Sequence, residues 1–269
     1  MRRGEISRGS KTALVTGASK GIGRCYALRL ADLGYNVVMV ASTAEELSAT
    51  ADEVAKAYPD IRVIYHAKDL ATPTAADEMF AWTEGEGIKI DVLVNNAGMF
   101  SFCDILDTPK ERIERIITLH AITATQLCRL YAEDMISRGG GHILNMSSYS
   151  IWMPYPGLSL YRASKAYLKS FSVAFSKEVQ AKGVKVTAIC PAGIATDLYG
   201  LSPELQRFGL KVGVLMSPES CARRGLKAMF KGRRCVVPDW WFRLFIPICQ
   251  CLCGAPMRWL RNFTMKFQK

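Results

Sequence analysis

Tyr161 and Lys165 stand four residues apart in the stretch YRASKAYLKSF, Tyr161 to Phe171. On a helix that spacing puts a phenol and an ammonium on one face. A free phenol ionises at a pKa of about 10, too high for easy proton exchange at neutral pH. A cation one helical turn away favours the phenolate and lowers that value. Such a pair could give a proton to an oxygen on which negative charge develops, as ketone reduction requires. Taken alone, the spacing reads more simply as the surface of an amphipathic helix, so the surrounding elements decide.

Those elements alternate. The apolar runs TALVTG, NVVMVA, IRVIYHA, IDVLVNN, GHILNMSS, VKVTAIC and RCVVPD are separated by stretches of helical periodicity. Near-continuous apolar strands between amphipathic helices indicate a parallel sheet covered on both faces. Thr108-Pro109-Lys110-Glu111 and Ser217-Pro218-Glu219 read as helix starts, each with a hydroxyl N-cap and proline at the first position. The expected architecture is a doubly wound α/β sheet of about seven strands in a single domain, with ligands at the carboxyl ends of the strands.

Composition agrees. A 269-residue chain with 49% hydrophobic residues can bury one large core, and no repeat or linker divides it. The basic start is not followed by an apolar core, so a secretory signal is not expected. Nine cysteines without framework spacing point to a reducing, cytoplasmic setting. CQCLC, at Cys249, Cys251 and Cys253, lacks the second ligand pair of a zinc site and reads as apolar filler. The net charge of +11 sits at the ends: residues 219–269 carry 11 Lys/Arg against Glu219 and Asp239, while the central body is near neutral. That is not the footprint of a nucleic-acid reader.

The first strand runs into TGASKGIGR, Thr16 to Arg24. Gly17, Gly21 and Gly23 permit a tight turn, close backbone approach and tight helix packing around Ser19, Lys20 and Ile22. The N–H groups of the following helix then point at a diphosphate. Near the end of the second strand a carboxylate would bind a ribose 2′-hydroxyl and repel a 2′-phosphate. The chain has Ala41, Ser42 and Thr43 there, with Lys20 and Arg24 supplying charge nearby. Hydroxyls plus a cation favour NADP(H) over NAD(H). Thr43 with Glu46 also forms a capping box in its own right.

NNAG at Asn95 to Gly98, Ser147-Ser148 and YRASK at Tyr161 to Lys165 follow TGASKGIG in order. Jointly these motifs resemble the short-chain dehydrogenase/reductase family over roughly residues 10–237, which implies a Rossmann fold and a nicotinamide-dependent oxidoreductase. By that resemblance Tyr161 is the acid/base and Lys165 lowers its pKa and holds the nicotinamide ribose. Ser148, thirteen residues before Tyr161 as in the family, holds the substrate oxygen. Asp69 and Leu70 would meet the adenine, and Asn95, Ala97 and Gly98 the adenosine ribose, although an asparagine at position 95 also braces the sheet in the family. Pro191, Ile194 and Thr196, in PAGIAT, would orient the carboxamide, with Ala192 where the family usually has glycine. His120 falls where the family has an asparagine that holds a relay water. A neutral imidazole could maintain that relay, or it could simply pack beside the helix.

A lid is expected over residues 197–216, apolar through Tyr199, Leu205 and Phe208, while Trp152 and Tyr155 are expected at the pocket mouth. An apolar, aromatic pocket suits a lipophilic carbonyl or alcohol. Within the extension, residues 238–269, the apolar run from Trp240 to Met257 is marginal as a bilayer span and is interrupted by Pro247, Gly254 and Pro256. Its tryptophans beside basic residues suit peripheral contact with a membrane, or an arm over the pocket or a second subunit. Similar tails occur in members related in pattern to long-chain 3-oxoacyl reductases. The resemblance also implies a homodimer; with the second ligand pair missing, no metal is expected. The competing reading is a non-enzymatic NADP(H)-binding sensor or membrane-associated scaffold.

Overall fold

The computed structural model describes residues 8–251 apart from 154, 197, 199 and 240. Seven strands form one parallel sheet: β1 (Thr12–Thr16), β2 (Asn36–Ala41), β3 (Val63–Ala67), β4 (Val92–Asn95), β5 (Gly141–Met146), β6 (Val184–Ile189) and β9 (Cys235–Val236). Their order is β3-β2-β1-β4-β5-β6-β9. Each expected apolar run is one of these strands.

The pleat explains the burial. Ala13 and Val15 face a cluster with Tyr26 and Leu30 of helix α1 (Gly21–Asp32), Leu47 of α2 (Ala44–Ala57), and Leu226 and Met229 of α8 (Pro218–Phe230). Leu14, between them, faces the opposite layer with Met79 of α3 (Ala75–Gly85) and Leu127, Tyr131 and Met135 of α5 (Ala124–Ser137). Each fully buried Leu or Val is worth about 1.5–3 kcal/mol relative to exposure. The central strands are thus covered on both faces, and exposure falls towards the edges, as at Tyr65 of β3 and Cys235 of β9.

The chain leaves β1 towards β2 and β3, then returns to place β4 on the other side of β1. The loops after β1 and β4 therefore diverge and open a crevice. This is the doubly wound Rossmann topology.

Helix starts follow the sequence in part. Ser217 caps α8, accepting from the Ser220 N–H at 3.2 Å, with Pro218 at the first position. Thr108 is not the cap of α4 (Lys110–Ile117): its hydroxyl donates to the Asp104 carbonyl, closing the short 3-10 turn before it, and Pro109 takes the boundary. Between α4 and α5 the helix widens into a π turn, Thr118–Thr123. Within 197–216 lie α7 (Pro203–Lys211) and strand β8 (Leu215–Met216), which pairs with β7 (Gly193–Ile194). Helix α9 (Phe242–Cys251) carries Pro247 inside it, and its start docks on the turn after β5 through Tyr149, whose hydroxyl donates to the Phe242 carbonyl at 2.9 Å. Among the described residues no helix is long and apolar enough to cross a membrane and no metal-ligating cluster occurs. The residues of the extension beyond 251, Cys253 among them, lie outside the described residues.

Candidate active site

Helix α6 (Ser159–Val179) carries Tyr161 and Lys165 one turn apart on its buried face, and two hydrogen bonds bolt that turn to the end of β5. The Lys165 ammonium donates to the Met146 carbonyl at 2.8 Å, and the Ser147 hydroxyl donates to the Lys165 carbonyl at 2.7 Å. Ser148, the next residue, accepts from the Ser150 N–H at 3.1 Å and hydrogen-bonds the phenol of Tyr161. Three short-range facts of sequence thus become one cluster, with Ser147 as its structural bolt.

The electrostatics differ from the sequence expectation. Burial pushes the Tyr161 phenol up to about 12, the Ser148 hydrogen bond acting the other way. Burial also lowers Lys165 to about 8. The ammonium lies 5.8 Å from the phenol ring centroid. In the protein alone desolvation dominates both groups, because removing a charged form from water costs the phenol more than its one hydrogen bond from Ser148 returns.

His120 lies in the π turn, 1% exposed and behind the wall of the cleft. Its Nε2 accepts from the Met99 N–H at 2.9 Å, so the neutral ring carries its proton on Nδ1 and donates to Ser164 Oγ at 2.8 Å. Ser164 in turn donates to the Tyr161 carbonyl at 2.9 Å. Burial, then the charge of Lys165, holds the imidazole pKa well below its ordinary value. Both ring nitrogens are engaged in tying the loop after β4 to α6. Replacing His120 with alanine should cost about 1–3 kcal/mol for the stranded Met99 N–H, read by urea unfolding. An unchanged unfolding midpoint would remove this tie.

A cleft of about 570 Å³ opens beside this cluster at the ends of β1 and β4. Ser148, Tyr161 and Lys165 border it, as do Gly17, Ser19, Lys20, Gly21 and Ile22. So do Ser42, Asp69, Leu70, Ala97 and Gly98, with Pro191, Ile194 and Thr196 on the far wall. Two glycines set the loop beneath it, Gly17 at the cleft wall and Gly23 buried behind it rather than on its lining. A Cβ on Gly23 would sit 1.9 Å from the Gly17 carbonyl oxygen, and one on Gly17 2.9 Å from the Ala97 Cα. Lys20, the N-cap of α1, makes no side-chain cap, so the first N–H groups of that helix stay open to an anion. A crevice floored by backbone and ending on uncapped helix donors fits a dinucleotide diphosphate. Gly98 is constrained less severely, by side chains rather than backbone: a Cβ there would lie 3.0 Å from His120 Nε2 and 3.2 Å from Lys165 Nζ.

Other expected residues lie elsewhere. Asn95 is 5% exposed and donates to Asn145 Oδ1 at 2.9 Å, bracing β4 against β5 rather than bordering the cleft. The cleft asparagine is Asn96, whose amide donates to the Thr16 and Gly17 carbonyls at 3.0 and 3.2 Å and so holds the glycine loop. Arg24 pairs with Glu53 on the outer side of α1, away from the cleft. Thr43 does not border it and makes no side-chain cap hydrogen bond. Asp69 accepts from the Ala71 N–H and from Arg115, both at 2.9 Å, and Arg115 also borders the cleft. No spacing rule could have found Arg115, because α4 meets the end of β3 only in the folded chain. Ala192 is buried without positive φ, so alanine is unstrained at the family's glycine position.

Neither Trp152 nor Tyr155 borders the cleft. Trp152 packs on Tyr149 and under the Lys169 ammonium, 5.4 Å from its ring centroid. Tyr155 is buried with Leu158, Tyr161 and Phe102. Each ring finds an apolar partner closer than the cleft. Tyr199 lies outside the described residues. Phe100 was not singled out in the sequence and lies edge-on to Tyr161, with centroids 5.1 Å apart. Leu198 and Met99 supply apolar lining.

Residues 11–204 match the model of the short chain dehydrogenase family. A very-long-chain 3-oxoacyl-CoA reductase from Ajellomyces capsulatus is 36% identical over 179 residues, 66% of this chain. The chain spans about half, 53%, of that relative's length. Among solved structures, a short-chain dehydrogenase from Sphingobium yanoikuyae in complex with NADPH has a TM-score of 0.77 at 28% identity, covering 91% of this chain and 97% of that one. A 7β-hydroxysteroid dehydrogenase also has a TM-score of 0.77, at 25% identity, covering 91% of this chain and 93% of that one. The match takes in β1 through the start of α7, with the glycine loop, the NNAG turn and the Ser148–Tyr161–Lys165 cluster inside it, and on that ground the chain belongs to the short-chain dehydrogenase family.

Proposed function

We propose that this protein is an NADP(H)-dependent oxidoreductase that interconverts a ketone and a secondary alcohol on a lipophilic substrate. The observation that carries the reading is the convergence of Ser148, Tyr161 and Lys165 on one wall of a glycine-lined cleft. When bound, the nicotinamide supplies or accepts the hydride. Tyr161, its phenol held protonated by burial, is the proton donor to the substrate oxygen. Ser148 holds that oxygen beside the phenol, and the Lys165 ammonium stabilises the charge that develops there. His120 is a positioning residue, fixing the turn that carries Tyr161 and Lys165 through Ser164. Met99, Leu198 and Phe100 support an apolar ketone, and similarity to a 3-oxoacyl-CoA reductase and a hydroxysteroid dehydrogenase supports an acyl or steroid-like one. A panel of aliphatic, 3-oxoacyl and steroid ketones with NADPH and NADH side by side tests this. Cofactor oxidation with none of them would defeat it by its absence.

The acidity of Lys165 gives the reaction a direction in pH. Its pKa of about 8 leaves the ammonium charged below that value and neutral above it. Ketone reduction should therefore decline as pH rises through about 8, whereas alcohol oxidation, which needs the phenolate, should rise with pH. A reduction rate that stays flat from about pH 6.5 to about pH 9.5 would remove Lys165 from the mechanism.

Two partners complete the proposal. The extension contacts a membrane surface peripherally: Leu244 and Phe245 of α9 are exposed, and residues 252–269 hold Arg258, Arg261, Lys266 and Lys269 with no acid. Undiminished binding to anionic vesicles after removal of 239–269 would rule that out. A homodimer forms across α5, the π turn before it and α6, where Tyr167, Phe171 and Phe175 stack and Ile122 of the π turn and Tyr167 are exposed. Light scattering should return twice the mass of the chain.

A further inference from the structure

The sequence pairs Thr43 with Glu46 as a capping box for α2, and the structure breaks that pairing. Thr43 makes no side-chain cap hydrogen bond. The Glu46 carboxylate turns instead to the glycine loop: Lys20 Nζ donates to it at 3.1 Å and the Ser19 hydroxyl at 3.4 Å. One turn further along α2, the Thr50 hydroxyl donates to the Ser19 carbonyl at 2.7 Å and locks the same loop. Ser19 and Lys20 border the cleft, and Ser42 borders it at the end of β2. An acid is thus bonded to two residues of the cleft after all, from the first turn of the helix rather than from the strand end and without itself bordering the cleft.

We infer that Glu46 is a specificity-determining residue, its carboxylate competing with a ribose 2′-phosphate for Lys20 and Ser19 and holding the preference for NADP(H) below what Lys20 alone would confer. The inference rests on the NADP(H) reading above. A 2′-phosphate approaching Lys20 must either displace the carboxylate or share its cation with it, and two anions on one cation repel. A 2′-hydroxyl is uncharged and can only be held by a carboxylate, never repelled by it, so NAD(H) gains nothing when the charge at position 46 is removed. The Lys20 and Glu46 side chains are 67% and 44% exposed, which bounds the effect to that of a solvent-screened charge contact, about 3- to 10-fold in affinity.

The test is the dissociation constant of the full chain, by calorimetry, for NADPH, NADH, 2′,5′-ADP and ADP, in wild type and in Glu46→Gln. Expected are NADPH and 2′,5′-ADP tighter by about 3- to 10-fold in the variant, with NADH and ADP no tighter and the gain shrinking at high salt. Unchanged or weaker NADPH binding overturns the inference. So does an equal shift for NADH, which would make Glu46 a brace for the loop only. The cofactor reading fails separately, if wild type binds NADPH no tighter than NADH. Were Glu46→Gln then to acquire a preference for NADPH, the inference about Glu46 would stand while that reading fell; no preference in either chain would sink both.

A second observation stands apart from the cofactor. Cys235 opens β9 opposite Ala188, and Cys190 follows β6 two residues beyond Ala188, on the same face of the sheet. Their sulfurs are 4.0 Å apart, Cys190 buried with Tyr149 and Val237 and Cys235 exposed. We propose that this pair is a peroxide-reactive thiol site, with Cys235 as nucleophile and Cys190 as resolving thiol. The Cys190 hydrogen bond, with Lys169 and Arg243 nearby, holds the Cys235 thiol below its ordinary value, and that same hydrogen bond together with burial raises Cys190. The Cys235 thiolate cleaves the O–O bond of hydrogen peroxide, becoming a sulfenic acid and releasing hydroxide. The Cys190 sulfur then displaces the sulfenic oxygen as water and closes a disulfide, so two thiols are oxidised as one peroxide becomes two waters. The bridge would tie the chain just before Pro191 to the sheet edge.

Peptide mass mapping of the reduced full chain after peroxide treatment should find a Cys190–Cys235 bridge that dithiothreitol reverses and Cys235→Ser abolishes. In Cys190→Ser, dimedone should label Cys235. Oxidation that bypasses both residues, or that leaves Cys235 unlabelled in Cys190→Ser, would refute the assignment.

Discussion

Replacing Tyr161 with phenylalanine should lower kcat for NADPH-dependent ketone reduction by about 10²- to 10⁴-fold, the range a positioned general acid supplies. The change removes one oxygen from a side chain only 5% exposed and already packed edge-on against Phe100. The ring stays where it is, and Lys165 keeps its hydrogen bond to the Met146 carbonyl. The dissociation constant for NADPH should therefore move little, and the loss should fall on kcat. Single-turnover kinetics with calorimetric NADPH binding separates the two terms. A variant retaining a tenth or more of wild-type kcat would show that the proton comes from elsewhere, with Ser148 the next candidate because it hydrogen-bonds the phenol.

The second large effect is expected in the glycine loop, just behind the cleft. Gly23→Ala places a methyl 1.9 Å from the Gly17 carbonyl oxygen and crowds the Asn96 amide at 2.6 Å. Backbone cannot yield there as a flexible side chain would, so the loop must move away from α1 and the Asn96 tether to Gly17 must break. The uncapped N–H groups of α1 then lose the backbone that shapes an anion seat. NADPH affinity should fall by about 100-fold or more, the scale of losing two charge-assisted hydrogen bonds. The Tyr161 cluster, built from β5 and α6, should keep its place. Calorimetry measures the loss, and circular dichroism checks that the variant is folded. A folded Gly23→Ala chain binding NADPH like wild type would mean the diphosphate does not lie on this loop.

The strands were legible because a parallel sheet packed on both faces leaves unbroken runs such as NVVMVA and VKVTAIC, which the solvent-facing strands of other folds lack. The Tyr161–Lys165 pair was legible because helical periodicity puts residues four apart on one face whatever surrounds them. Other features were not legible, for a common reason. Glu46 satisfies the local rule for a cap, yet a cation 26 residues away takes its carboxylate. Thr108 satisfies the same rule, yet the Asp104 carbonyl takes its hydroxyl. Asn95 and Asn96 are adjacent and identical in type, and only the strand pleat sends one into the sheet and the other towards the glycine loop.

By itself, then, the sequence determined the order of the strands along the chain, the glycine turn, and which phenol, ammonium and hydroxyl could meet, since these depend on covalent spacing and backbone periodicity. The tertiary structure decided the protonation of those groups. It also decided the partners of His120, 21 and 44 residues away, the packing of Trp152 and Tyr155 away from the cleft, and the anion that sits on Lys20. Desolvation and hydrogen-bond competition depend on every atom within a few ångströms, and most of those atoms belong to residues far along the chain.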